Sequence, residues 1–168
     1  LRTLYRAAVQ DAEVPEPEEV SRTLTAILPA NPNLSWQDGR VKVVTWLSYD
    51  TYDNLKGQDY TTGDWYTWVT VVPEIIDFFV NHPTSRPCAP MRIAQLLGLP
   101  PDTRHSRFAE LWVDPRDLFR PSADPEITDH EAEVDFPDTL NPFLTISPDY
   151  KAWFNDRVGA TYGDDGYP

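Results

Sequence analysis

A chain of 168 residues can fold as one ordinary domain, and its 6 Trp, 8 Tyr and 7 Phe supply enough large apolar surface for a real core. Its 27 acids against 14 bases give a formal net charge of -13, which argues against direct nucleic-acid binding or attachment to an anionic membrane. The single cysteine excludes an intrachain disulfide, and no apolar run approaches the roughly 20 residues that span a bilayer.

In chain order, Leu4, Tyr5, Ala8 and Val9 fall at helical spacing and predict a short amphipathic helix over the first twelve residues. Pro15 and Pro17 break it. Glu16, Glu18 and Glu19 then favour the start of a second helix with Val20, Leu24, Ile27 and Leu28 as its buried stripe, so residues 1–30 are expected to form a helical N-terminal segment. Residues 30–33 (ANPN) read as a turn. Asp38-Gly39, between Leu34–Gln37 and the β-branched run Val41–Leu47, is a two-residue hairpin signal, because both residues tolerate positive φ. The polar stretch 50–64 reads as a surface loop.

Residues 65–72 (WYTWVTVV) predict a strand running straight into a helix at 73–80, with Pro73 at its start and His82-Pro83 at its end. A further helix is expected from Met91 to Leu97, with Gly98 as its stop. Phe108–Val113 predicts another strand, followed by a turn at 114–117. A last helix is expected over Tyr150–Val158, capped by Ser147 and Pro148 and ended by Gly159, with residues 160–168 as a flexible tail. Helices and strands mix without βαβ alternation. The expectation is a single α+β domain over 1–168, with an antiparallel sheet packed by several short helices.

The segment from Phe119 to Asp138, FRPSADPEITDHEAEVDFPD, concentrates seven carboxylates around one histidine and one arginine. Counted from Asp124, a helix–loop–helix calcium site would need Gly at Asp129 and Glu at Asp135, so that motif is rejected. A nonstandard calcium site from Asp124, Glu126 and Asp129 stays open. Glu131, Glu133 and Asp135 alternate with Ala132, Val134 and Phe136, which suits a half-buried strand with an acidic outer face better than a ligand cage. Asp129, His130 and Glu131 are the candidate catalytic residues, since flanking carboxylates favour the charged imidazolium. Arg104, Arg107, Arg116 and Arg120, four of eleven arginines, precede or enter this segment. Together with Asp124 and Glu126 they are candidate partner- or ligand-binding residues, and they are equally suited to pairing with the acids inside the molecule.

His82, His105 and His130 are far apart and carry no zinc-ligand spacing, so no metal site and no cofactor are assigned. Cys88, between two prolines, suits an inert loop thiol, although Arg86 could activate it. No nucleophile elbow and no glycine-rich phosphate loop exist. Trp36, Trp46, Trp65 and Trp68 could stack on a sugar, but such aromatics more often pack a core. The pair Asp164-Asp165 on a glycine-rich tail could clip a cation and reads first as a frayed end.

The runs WVTVVPEIIDFF, RIAQLLGLPPDTRHSRFAELWV and PRDLFRPSADPEITD, within about residues 34–138, resemble an uncharacterised bacterial protein family of unknown function. That resemblance implies no activity, ligand or catalytic residue. Low Lys with high Arg, Asp and Pro also fits a bacterial genome rich in G and C.

The leading functional expectation is a non-catalytic binding or interaction module with an acidic surface, working as a monomer or small homo-oligomer on a protein or small-molecule partner. Alternatives are a small hydrolase using Asp129, His130 and Glu131, with a saccharide as one candidate substrate, and an acidic nucleic-acid mimic that blocks a basic protein. The start at Leu1 leaves a removed leader, a tag or a preceding segment open, and the compartment is unassigned.

Overall fold

The computed structural model describes residues 1–12, 14–48, 52–62, 66–138 and 149–161. They form four α-helices and a four-stranded antiparallel sheet, an α+β domain as expected. The helices are α1 (Arg2–Ala12), α2 (Val72–Asn81), α3 (Ala89–Leu96) and α4 (Tyr150–Thr161). The strands are β1 (Trp36–Gln37), β2 (Arg40–Leu47), β3 (Thr70–Val71) and β4 (Arg107–Val113).

The Asp38-Gly39 hairpin forms as the local chemistry dictates. Gln37 faces Arg40, and the two loop residues take φ of 52° and 79°, the doubly positive geometry that a right-twisted hairpin requires. β2 then serves as the spine of the sheet. One of its sides holds β1 and, further along, β3, while its other side pairs with β4 from Val41↔Val113 to Leu47↔Arg107.

Residues directly opposite across a ladder share a face. Trp36, Val41, Val43, Val71, Leu111 and Val113 therefore project together, and Leu34, Leu118 and Ile127 close over them to make the core, with Ile27 and Phe119 packed at its margin. Val41, Val43 and Ile127 are exposed by no more than 1 %. The lid of this core comes from irregular segments rather than from a helix. The opposite face carries Lys42, Val44, Trp46, Phe108, Glu110 and Trp112.

α2 starts with Pro73 in its first turn and ends at His82, whose N–H bonds Phe78 O at 2.8 Å. α3 ends as Gly98 predicts. Gly98 has φ of 66°, Leu99 N–H reaches Ala94 O at 2.8 Å and Gly98 N–H reaches Gln95 O at 3.4 Å, the paired bonds of a left-handed helix stop. α1 spans the predicted residues but buries none of them; Tyr5 and Val9 are half-buried while Leu4 stays 72 % exposed.

Four expectations are corrected. Residues 20–28 are not helical. After a single turn at Pro17–Glu19 the chain runs extended beside residues 127–132, with Leu24 N–H on His130 O at 3.0 Å, Ile27 N–H on Ile127 O at 2.7 Å and a bridge between Ser21 and Ala132. Long-range backbone partners outweigh a weak local helical pattern there. The strand expected over 65–72 pairs only at Thr70–Val71; Trp65 lies outside the described residues. Upstream, Tyr66 leaves the ladder to pack on Phe119 and Trp153, with ring centroids 5.6 and 5.0 Å away.

The strand expected over 131–136 is reduced to the one bridge at Ala132, although Ala132, Val134 and Phe136 are indeed less exposed than Glu133 and Asp135. Finally, α4 continues through Gly159 to Thr161. Ser147 and Pro148, its expected caps, fall outside the described residues, as does the tail beyond Thr161 with Asp164 and Asp165.

Candidate functional site

The acidic segment folds as a loop wired by its own carboxylates. Asp124 accepts the N–H of Glu126 at 3.2 Å. Glu126 accepts the N–H of Thr128 at 2.9 Å and that of Asp129 at 3.1 Å, and Asp129 accepts the N–H of Glu131 at 3.1 Å. Short acidic side chains in this spacing satisfy backbone donors that no strand or helix serves. Apolar anchoring fixes the loop from beneath, since Ala123 just before the first acid and Pro125 and Ile127 between the acids are buried.

Arg120 sits inside this loop. Its guanidinium donates to Asp129 Oδ1 at 2.8 Å, to Asp129 O at 2.6 Å and to Glu131 O, while its own N–H reaches Pro125 O at 3.1 Å. Its side chain is only 13 % exposed. The rigid fork of donors on arginine suits this convergence of one carboxylate and two carbonyls. From the far side, the Tyr150 hydroxyl at the start of α4 lies 2.6 Å from Ser122 O and 3.0 Å from Arg120 O, sharing its proton between them. Burial, the largest influence, pushes the Tyr150 phenol well above its ordinary range.

The candidate catalytic residues are adjacent but turn to separate partners. Asp129 is held by Arg120. His130 Nδ1 lies 2.7 Å from Leu24 O; a carbonyl only accepts, so Nδ1 carries a proton and donates it there, on an exposed ring. Glu131 pairs with Arg22 at 2.7 Å. Burial resists ionisation of Asp129, yet the hydrogen bonds from Arg120 and the Glu131 N–H, with the Arg120 and His130 charges, prevail and draw its pKa down.

The four arginines do not form one patch. Only Arg120 joins the acidic loop. Arg107 pairs with Asp53 at 2.6 Å across a long sequence gap, and Arg116 grips Asp114 two residues away, holding that carboxyl at about 2 through hydrogen bonds to the Arg116 side chain and backbone. Arg104 is exposed and has no ion-pair partner among the described residues.

Asp124 is the loop's chemically unusual member. It is 7 % exposed, and burial first, then a hydrogen bond with the neighbouring Glu133 carboxyl, push its pKa from 3.8 up to about 6. Because the folded state binds this proton more tightly, Asp124's contribution to stability is fully present below about pH 4 and is lost as pH rises through about 6. Asp124→Asn keeps an oxygen for the Glu126 N–H and offers Glu133 a permanent donor. It is expected to melt above the wild type at neutral pH, with the gap closing as pH falls below about 4. Thermal unfolding across that range checks this; a wild-type and variant gap that is flat with pH would contradict it.

Among the described residues no cluster of three or more His, Cys, Asp or Glu could hold a metal ion. Cys88 is exposed in the turn before α3, and His82 uses Nδ1 on Phe78 O at 3.0 Å. Trp36 packs in the core margin, Trp46 is 8 % exposed, and Trp68 is 53 % exposed outside any strand. A concavity lined by Arg2, Thr3, Arg6, Ala7 and Gln10 on α1 includes none of the candidate residues.

The feature that sequence reasoning missed is the outer edge of β4. Lys42 N–H bonds Ser35 O at 2.9 Å across the hairpin, so the even residues of β2 aim their backbone groups toward β1 and β3, and the odd ones toward β4. Their partners Arg107, Ala109, Leu111 and Val113 face β2 in return. The N–H and C=O groups of Phe108, Glu110 and Trp112 therefore point away from the sheet, and no hydrogen bond from the described residues reaches them. Their side chains are exposed too, Phe108 at 48 % and Trp112 at 36 %. Lys42 lies 5.0 Å from the Trp112 ring centre and 3.2 Å from the Glu110 carboxylate. The alternation of Phe108, Glu110 and Trp112 with Ala109, Leu111 and Val113 is visible in the sequence; the side of the strand left unpaired among the described residues is not.

Fold and site together define an α+β domain with a self-wired acidic loop and, among the described residues, an unpaired outer side on β4. Comparison with known protein families, with characterised proteins and with solved structures finds no match to this chain. Among the described residues no helix is long and apolar enough to cross a membrane.

Proposed function

We propose that the chain is a non-catalytic interaction module that takes an extended partner along β4. The observation that carries this reading is a seven-residue strand that, among the described residues, is hydrogen-bonded on one side only, with Phe108 and Trp112 exposed along it. Natural sheets shorten, bend or cover such edges, because an unpaired strand with apolar side chains is a template for another chain. The hydrolase reading is supported less, since Asp129, His130 and Glu131 each serve a structural contact.

Panning a random peptide library on the immobilised chain tests the proposal. It should enrich extended peptides rich in aromatic and β-branched residues, which slow amide exchange at Phe108, Glu110 and Trp112. Doubly substituting Phe108→Ala and Trp112→Ala should abolish that enrichment with little change in melting temperature. Binders that instead protect residues 124–131 would overturn the reading.

A further inference from the structure

Resting on that reading, we infer that the partner of β4 is a second copy of this chain, joined antiparallel about a two-fold axis through Glu110. Such an axis makes Phe108 face the partner's Trp112, Glu110 face its counterpart and Trp112 face the partner's Phe108. Those three residues are the ones whose backbone groups point outward, so each facing pair can exchange both of its N–H···O bonds. A register shifted by two residues in either direction loses one of these pairs to the strand end. Strand and symmetry are matched: every outward donor and acceptor of the strand finds its own equivalent.

The side chains agree with the backbone. Aromatic pairs directly opposite each other on one sheet face are favourable cross-strand neighbours. This register makes two such pairs, from rings that are 48 % and 36 % exposed in the single chain. The facing Glu110 carboxylates are the one unfavourable pair. Each brings its own countercharge, Lys42 at 3.2 Å on the neighbouring strand of the same chain. An isolated four-stranded sheet thereby becomes a continuous eight-stranded one, and the open edge of β4 is eliminated.

Electrostatics separates this partner from a cationic one. Two copies that each carry a net charge of -13 repel at long range, so added salt should tighten their association. A basic protein or peptide on the same surface would be released by salt.

Sedimentation of the full chain, from micromolar to near-millimolar concentration and at low and high salt, tests the inference. A reversible monomer–dimer equilibrium is expected, strengthened by salt, with amide exchange at Phe108, Glu110 and Trp112 slowing as concentration rises. Glu110→Pro should abolish the dimer, because it removes an N–H that β2 does not use. If that variant fails to fold, Phe108→Lys serves instead, since the position is exposed. Glu110→Gln should tighten the dimer roughly two- to five-fold by removing the facing charges.

A monomer at every concentration overturns the inference. So does a dimer that persists in folded Glu110→Pro or Phe108→Lys. If the chain stays monomeric while library peptides still protect the β4 amides, the second copy is wrong and the strand-addition reading stands. If neither binds, both fail.

Discussion

Truncating Ile127 to alanine is expected to lower stability by about 2–5 kcal/mol, the cost of a cavity in a packed core. Ile127 is 1 % exposed and packs with Leu34, Val41, Val43, Val71 and Leu118. It sits in the middle of the acidic loop, and its carbonyl receives the Ile27 N–H at 2.7 Å, so it joins the two irregular segments that close the sheet. For a chain of this size the loss corresponds to roughly 5–15 °C in melting temperature. Ile127→Val, which removes one methylene, should cost only about 0.5–1.5 kcal/mol. Thermal unfolding of both variants checks the ranking. An alanine variant that melts with the wild type would show that the loop does not roof the core.

Arg120→Met should come next, at roughly 3 kcal/mol. The substitution keeps an apolar stem but removes the guanidinium donors from Asp129 O, Glu131 O and Asp129 Oδ1, leaving that Oδ1 only the Glu131 N–H. Three acceptors lose their donors at once around a side chain that is itself 13 % exposed, and water recovers part of the loss at the Asp129 carboxylate, which is 51 % exposed. Arg116→Met supplies the internal control. Its ion pair with Asp114 is local and its side chain is 63 % exposed, so a change of about 0–1 kcal/mol is expected. Arg104→Ala should change less still. Equal losses at Arg116 and Arg120 would contradict the placement of Arg120 inside the loop. Hydrogen exchange gives a second readout, because only Arg120→Met should release the amides of Thr128, Asp129 and Glu131 together.

The sequence made some elements legible because their chemistry is local. Asp38-Gly39 specifies a turn whichever sheet it joins, and Gly98 specifies a helix stop whatever lies beyond it. The β-branched run in β2 and the alternating pattern in β4 likewise declare themselves within a few residues. Val20, Leu24, Ile27 and Leu28 misled because four apolar residues at helical spacing stabilise a helix only weakly. The backbone bonds to that segment come from residues 127–132, a hundred or more positions away in sequence. The candidate site divides the same way. The run of acids was visible, but their use as caps for one another's backbone depends on φ and ψ along the loop, which no periodicity encodes.

By itself the sequence determined the class of fold, the hairpin, the presence of α1, α2 and α3 with the stop of α3 at Gly98, the strands β2 and β4 and the heavy negative charge, since each follows from propensity, turn chemistry or counting. Only the tertiary structure decided which arginine enters the acidic loop, which apolar residues between the acids are buried, and which strand ends the sheet. Those outcomes depend on contacts between distant segments, whose free energies are comparable to the local preferences they overrule. The open edge of β4 belongs to the second group. A strand's sequence states that it will pair, and the fold alone states on how many sides.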